Sequence, residues 1–340
     1  MSEKIPSVSV VMPVYNGGAF LKAAIESILN QTYEDFELIL INDGSSDDSA
    51  KIISSFNDKR IIHISHGQNK GLIYSLNEGI SLSKGKYIIR MDADDISLAN
   101  RFQKQVEFMD SHPEIGVAGT EYYSFSETRL KKIFAYTEPE ILRSMLIFKS
   151  CLCHPSVIIR KNVLTENNIR YDERYKHAED YDLWVQLSKV TKLSNVKGLL
   201  LKYRSHDQQV SVSHTGTQKD NGYIIRENYL RGLGFSFTEK DLKTNTLLAT
   251  NQLITSEEQL DDIEKWLLKL SEQNDSGRKI EPKHFNFFIG KTWLDSCGIT
   301  NLGKIAYSKY FRSPLAKYYP LSSKEKVRFA AKCLIRRFKK

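Results

Sequence analysis

Near the start of the chain, four short apolar runs, each ended by a polar turn, limit the folds open to it. They lie at 7–14, 36–41, 61–64 and 87–91 and are rich in Val, Ile, Leu, Phe and Tyr. Runs this short and this apolar suit strands covered on both faces. Between them Phe20, Leu21, Ala24, Ile25, Ile28 and Leu29, then Leu72, Leu76, Ile80 and Leu82, recur at helical spacing, and Gly85 closes the second helix. Strand alternating with helix predicts an α/β fold: a mostly parallel, Rossmann-like sheet flanked by crossover helices.

Open sheets of this kind bind ligands beyond the carboxyl ends of their strands. Four polar loops fall there, at 13–18, 43–48, 68–71 and 92–95. The first reads Pro13-Val14-Tyr15-Asn16-Gly17-Gly18. It is neither a G-x-G-x-x-G turn nor a G-x-x-x-x-G-K-[ST] loop, which argues against a dinucleotide enzyme and a P-loop nucleotidase. A nucleotide in such a crevice would be held by side-chain carboxylates and a metal.

Asp92-Ala93-Asp94 directly follows the fourth strand. Two carboxylates one residue apart present oxygens to a hard divalent cation, Mn2+ or Mg2+, which can bridge a diphosphate. Acidic turns after strands are also commonly just solvated. Asp43 can accept from a base imide N–H, Asp92 from ribose hydroxyls, and Lys70 can approach base or phosphate. Asp43 and Asn69 equally suit turns that bond their own backbone. Farther on, His177-Ala178-Glu179-Asp180-Tyr181-Asp182-Leu183-Trp184 opens a helical pattern over 178–190. A carboxylate here can take the proton of an attacking hydroxyl, and Asp180 is the candidate base. Glu179 and Asp182 also fit as acids on a helix N-terminus. His206 is a candidate metal ligand, and His154 either lines the acceptor side or caps a strand.

Together these segments resemble glycosyltransferase family 2, the inverting GT-A enzymes of bacterial polysaccharide synthesis. The matching pieces are VSVVMPVYNG at 8–17, INDGSSDDS at 41–49, QNKGL at 68–72, MDADD at 91–95, HPSVIIR at 154–160, AEDYDLW at 178–184 and YRSH at 203–206. The resemblance implies a GT-A domain over 1–224. It implies that Pro13, Val14, Tyr15, Asn16 and Asp43 hold the base, most often uracil, with Asn69 and Lys70 beside it. Asp92 would touch the ribose with Ala93 also at the donor, Asp94 and His206 would hold the metal, and Asp180 with Glu179 would form the catalytic pair. Many relatives have Arg where this chain has Lys70, so the bidentate fork is absent. The implied reaction is a single displacement moving a hexosyl or N-acetylhexosaminyl group from a UDP-sugar to a glycan or polyprenyl-linked acceptor. Two rivals are a sugar-phosphate nucleotidyltransferase and a catalytically silent nucleotide-sugar-binding module. The first would need a Gly-rich basic loop after the first strand, which 13–18 lacks.

Residues 225–340 read as a helical extension, with capping boxes expected at Thr255/Glu258 and Ser322/Glu325. Lys324, Lys326, Arg328, Lys332, Arg336, Arg337, Lys339 and Lys340 face one acid, Glu325, so nearly all of the net charge of +8 sits in this tail. Val327, Ala331, Leu334, Ile335 and Phe338 share a helical face. A basic amphipathic tail at 322–340 suits an anionic membrane surface, whereas the near-neutral body argues against a nucleic-acid partner. No secretory signal or membrane-spanning run is visible. Cys151, Cys153, Cys297 and Cys333 lack zinc spacing and suit reduced thiols. The expected location is cytoplasmic, peripheral to the inner face of the plasma membrane.

Overall fold

A computed structural model describes residues 5–205, 215–250 and 252–335. The first part of the chain alternates as expected: β1 (Val8–Val14), α1 (Gly18–Leu29), β2 (Phe36–Asn42), α2 (Ser49–Ser54), β3 (Ile61–Ser65), α3 (Leu72–Leu82) and β4 (Tyr87–Arg90). There follow β5 (Ile96–Ser97), α4 (Arg101–Ser111), β6 (Ile115–Phe125), β7 (Leu130–Ile133), α5 (Pro139–Met145), β8 (Ile158–Arg160), α6 (Lys161–Glu166), α7 (Glu179–Leu187) and β9 (Lys192–Arg204). The rest of the described chain is chiefly helical: α8 (Thr215–Gly232), α9 (Glu239–Ala249), α10 (Glu257–Gly277), α11 (Pro282–Gly298), α12 (Lys304–Arg312) and α13 (Ser323–Ile335).

The strands form one mixed sheet in the order β3-β2-β1-β4-β8-β6-β9-β5, with β7 paired to β6. β1, β2, β3 and β4 are mutually parallel, so their carboxyl ends share one rim. β8 runs antiparallel to β4 and to β6, and β6 runs parallel to β9. By that geometry the start of β8, after the turn at His154–Ser156, and the end of β9 at Arg204 reach the same rim. β2 is buried along its whole length and β1 at every position but Pro13, as their unbroken apolar runs require. The core joins Val8, Val10 and Met12 of β1, Leu38 and Leu40 of β2, Ile89 of β4, and Leu21, Ile25 and Ile28 of α1.

The chain divides into two compact units, 1–139 with 150–222 and 140–149 with 223–340. In the second, Trp266 Nε1 donates to Asn245 Oδ1 at 3.0 Å and the Asn245 amide donates to the Ile147 carbonyl at 2.8 Å, tying α10, α9 and the segment after α5 together. The box at Ser322/Glu325 forms, with Ser322 N–H donating to the Glu325 carboxylate at 2.9 Å and Glu325 N–H donating back to the Ser322 hydroxyl at 3.4 Å. The other expected box is displaced by one residue: Ser256 caps α10, paired with Gln259. Thr255 instead lies outside the helix, where its N–H donates to the same Gln259 Oε1 at 2.8 Å.

Gly79 sets how closely α3 packs on the sheet. A Cβ there would overlap a methyl of Val11 and lie 3.1 Å from Ile41 Cδ1. Alanine would gain about 1 kcal/mol in helix propensity, but overpacking against two branched core side chains costs about 1–3 kcal/mol. Gly79→Ala is therefore expected to lower the urea midpoint with an unchanged m-value, measured by tryptophan fluorescence.

Candidate active site

The loops at the shared rim are bonded to one another. Asn16 N–H donates to Ser45 Oγ at 3.0 Å, Ser46 N–H donates back to Asn16 Oδ1 at 2.9 Å, and Gly17 N–H donates to Ser49 Oγ at 3.0 Å. Asn16 adopts a left-handed φ of 50°, tolerable for Asn because its short side chain bonds locally. Val14 is buried, Pro13 half-buried, and the Tyr15 ring projects outward, 56% exposed.

Asp43 is buried at the end of β2. Its Oδ1 lies 2.7 Å from His66 Nδ1 and accepts the Lys70 N–H at 2.8 Å, while Oδ2 accepts the Gly71 N–H at 2.8 Å. The carboxylate thus holds the 68–71 turn by its backbone. Gly44 permits the approach: with φ at +70°, a Cβ there would sit 2.5 Å from the Gln68 carbonyl carbon. Asn69 and Lys70 are exposed, and Lys70 Nζ lies 4.4 Å over the Tyr74 ring.

Asp92, Asp94 and Asp95 bring carboxylate oxygens within 4.8 Å of one another, beyond β4. Arg90, buried within the strand, forks onto Asp92, its Nη1 donating to Oδ2 at 2.5 Å while Nη2 pairs with Oδ1. Arg204 closes the far side. Its N–H donates to Asp95 Oδ1 and its Nε to the Asp94 carbonyl, both at 2.8 Å, with the guanidinium 4.1 Å over the Phe20 ring. Asp95 Oδ2 is buried and has no hydrogen-bond partner among the described residues. Burial, with the charges of Asp92 and Asp94, pushes the Asp95 carboxyl well above the usual carboxylate range. An orphaned buried carboxylate oxygen among three acids fits a site built for a divalent cation.

Glu179 and Asp180 open α7, after His177 turns the chain with φ at 68°. Asp180 Oδ2 accepts from Ser150 Oγ at 2.9 Å. Burial raises the Asp180 carboxyl, opposed by the Ser150 hydroxyl and the Arg90 charge. Burial and the Asp180 charge push Glu179 up to about 7. His154 Nε2 lies 2.7 Å from the Tyr171 hydroxyl, and burial lowers the His154 pKa, so the imidazole is neutral and can accept that proton. The charges of Arg90, Asp180, Glu179 and Asp92 all act on the Tyr171 hydroxyl. The structure therefore brings the two acidic constellations together around Arg90 and Tyr171. His206 lies outside the described residues. Arg90, His66, Ser150 and Tyr171 bond the candidate residues and were missed by motif reading; the one available signal was a lone arginine inside an apolar strand run.

A D-x-D turn beyond the fourth strand of a parallel sheet, facing a carboxylate pair on a helix N-terminus, defines the GT-A class of glycosyltransferases. The chain belongs to glycosyltransferase family 2: the model of "Glycosyl transferase family 2" matches residues 9–166. A Haemophilus influenzae protein described as an uncharacterized glycosyltransferase is 34% identical over 248 residues, 68% of this chain and 77% of that one. The Escherichia coli O-antigen biosynthesis glycosyltransferase WbnJ is 31% identical over 65% of this chain and 88% of its own length. WfaP of Escherichia coli, a UDP-Glc:alpha-D-GlcNAc-diphosphoundecaprenol beta-1,3-glucosyltransferase, is 31% identical over 67% of this chain and 86% of its own length. Staphylococcus aureus TarS 1–349, solved in complex with UDP-GlcNAc, shares the fold at TM-score 0.57 and 14% identity, over 92% of this chain and 89% of that one.

The Glu179 shift fixes a sign. Between its ordinary 4.5 and about 7 the native protein holds a proton that the unfolded chain releases, so stability falls as pH rises through that window. Glu179→Gln is expected to flatten the decline of the melting temperature across that range; an equal decline in both proteins would contradict the assignment.

Proposed function

We propose that the chain is an inverting glycosyltransferase that moves a sugar from a UDP-sugar to a lipid-linked glycan acceptor in cell-surface polysaccharide synthesis. The observation that carries this reading is the meeting of the Asp92–Asp95 acids and the Glu179–Asp180 pair around Arg90 and Tyr171. WfaP, whose name gives a UDP-sugar donor and a diphosphoundecaprenol acceptor, supports the choice of substrate class.

In this reading Tyr15 and the Asp43 carboxylate hold the uracil, and Asp92 accepts from the ribose while Arg90 fixes its orientation. Asp180 takes the proton of the acceptor hydroxyl, whose oxygen bonds to the anomeric carbon as the bond to the diphosphate oxygen breaks on the opposite face. The proton ends on Asp180, the electron pair on UDP, and the configuration inverts. Much of the acceleration comes from holding both reactants in line. Asp94, with His206 as the further ligand that the family resemblance implies, would hold Mn2+ or Mg2+, supplying positive charge against the leaving diphosphate.

Asp180→Asn keeps size and removes the base. It is expected to lower kcat by roughly 10²–10⁴-fold with little change in donor KM, measured by UDP release. Asp94→Ala is expected to abolish manganese-stimulated hydrolysis of the UDP-sugar. If Asp94→Ala matches the parent protein, a silent binding module is the better account.

The tail belongs to the same proposal. α13 buries Phe329 and Cys333 while Val327, on the opposite face, is 70% exposed amid Lys324, Lys326 and Arg328. No helix among the described residues is long and apolar enough to cross a membrane. An exposed apolar position ringed by cations suits adsorption to an anionic bilayer, which would hold the enzyme at the cytoplasmic face beside a polyprenyl-linked acceptor. Val327→Glu is expected to weaken sedimentation with phosphatidylglycerol vesicles severalfold, each charge near the surface being worth about 1 kcal/mol, without moving the melting temperature.

A further inference from the structure

His66 has no part in the mechanism above, yet both of its ring nitrogens are engaged by carboxylates. It lies just past β3, buried. Nδ1 is 2.7 Å from Asp43 Oδ1 and Nε2 is 2.7 Å from Glu78 Oε2. The edge of the Tyr74 ring packs on it with centroids 5.5 Å apart, and Lys70 is the nearby cation. An ionised carboxylate only accepts hydrogen bonds, so with both acids ionised the two contacts are satisfied together only when both ring nitrogens donate, as in an imidazolium.

The acceptor count at Asp43 gives this arrangement its meaning. A carboxylate offers about four lone-pair positions. On Oδ1 both are engaged, by His66 and by the Lys70 N–H; on Oδ2 one is engaged, by the Gly71 N–H. Among the described residues one position on Oδ2 is left for a donor from outside, and a pyrimidine imide supplies a single N–H. We propose that His66 is a positioning residue for the nucleoside base: it ties Asp43 to Glu78 on α3, so that one carboxylate can hold both the 68–71 turn and the base.

The inference rests on the reading of Asp43 as the residue that meets the base, and it adds a pH dependence that that reading lacks. The two carboxylates outweigh burial and raise the His66 pKa above its ordinary value. As pH rises through the raised pKa, the ring keeps one N–H for two carboxylates. One contact then becomes lone pair against lone pair, and Asp43 loses its fixed orientation. Donor affinity is present at low pH and is lost as pH rises.

The test is calorimetric titration of the full-length protein with UDP and manganese, between about pH 6 and pH 8.5. His66→Phe removes both donors and is expected to weaken UDP binding about tenfold at the low end, the worth of one charge-assisted hydrogen bond. It should also remove the part of the pH dependence that UDP itself does not contribute. Glu78→Gln, at a half-exposed position that still accepts from Nε2, is expected to keep parental affinity at the low end. Its affinity should be lost at a lower pH than the parent's, because one of the two charges that raise His66 is gone. A purely structural His66 would not move that midpoint. Parental affinity in His66→Phe, or superimposable pH profiles for Glu78→Gln and parent, overturns the inference. Asp43→Asn separates the layers: lost UDP binding there beside parental His66→Phe refutes His66 alone, whereas unchanged binding refutes the base assignment and this inference with it.

Discussion

Five carboxylates gather about the Arg90 guanidinium at the rim of the sheet, and their proximity depends on that charge. Asp92, Asp94 and Asp95 follow the strand that carries Arg90, and Glu179 and Asp180 face it from α7. Without a nearby cation, burial and mutual repulsion would protonate several of these acids. Arg90 offsets that tendency most at Asp92, which it grips through both oxygens. It opposes the same tendency at Asp180, which must be ionised to serve as the proposed base. Asp95, held through one oxygen by a backbone N–H and without a hydrogen-bond partner at the other among the described residues, keeps a strongly raised pKa. The rim therefore favours added positive charge, which a divalent cation held by these acids would supply.

The loops around these acids are cross-braced along the rim of β1, β2 and β3. Hydrogen bonds join the 13–18 loop to the 45–49 loop, and Asp43 joins the second loop to the 68–71 turn. Arg204 ties the end of β9 to the Asp94–Asp95 turn. Each brace uses a backbone group on one side, so loop positions are set by main-chain geometry, while Tyr15 stays exposed and the Lys70 ammonium rests on Tyr74. Preorganisation of this kind lowers the ordering cost of binding.

Much of this was legible in the sequence where burial is symmetrical. β1, β2 and β4 are covered on both faces, so their residues form unbroken apolar runs, and the polar turns after them mark the rim. β9 was not legible. It carries Lys192, Lys197, Lys202 and Arg204 and is interrupted by Gly198 at φ +121°, where its register with β6 shifts. β5, only two residues long, is held by its pairing with β9 and leaves no periodicity to read. The cap of α10 slipped by one residue because Thr255 and Ser256 are chemically equivalent caps and backbone geometry chose between them. His66 escaped motif reading because its partners, Asp43 and Glu78, lie 23 and 12 residues away in the chain; Arg90 grips Asp92 two residues on, but its burial beside Glu179 and Asp180 comes from the fold and leaves no local spacing to read.

The central claim is that one crevice holds a metal-bound diphosphate on the Asp92–Asp95 side and the sugar's reacting carbon before Asp180. The most direct measurement is a crystal structure of the protein soaked with manganese and a non-hydrolysable UDP-sugar, with the metal located by anomalous scattering. The expected result is a manganese peak at the Asp94 carboxylate with the anomeric carbon between it and Asp180. A metal bound elsewhere, or a sugar directed away from α7, would contradict the account.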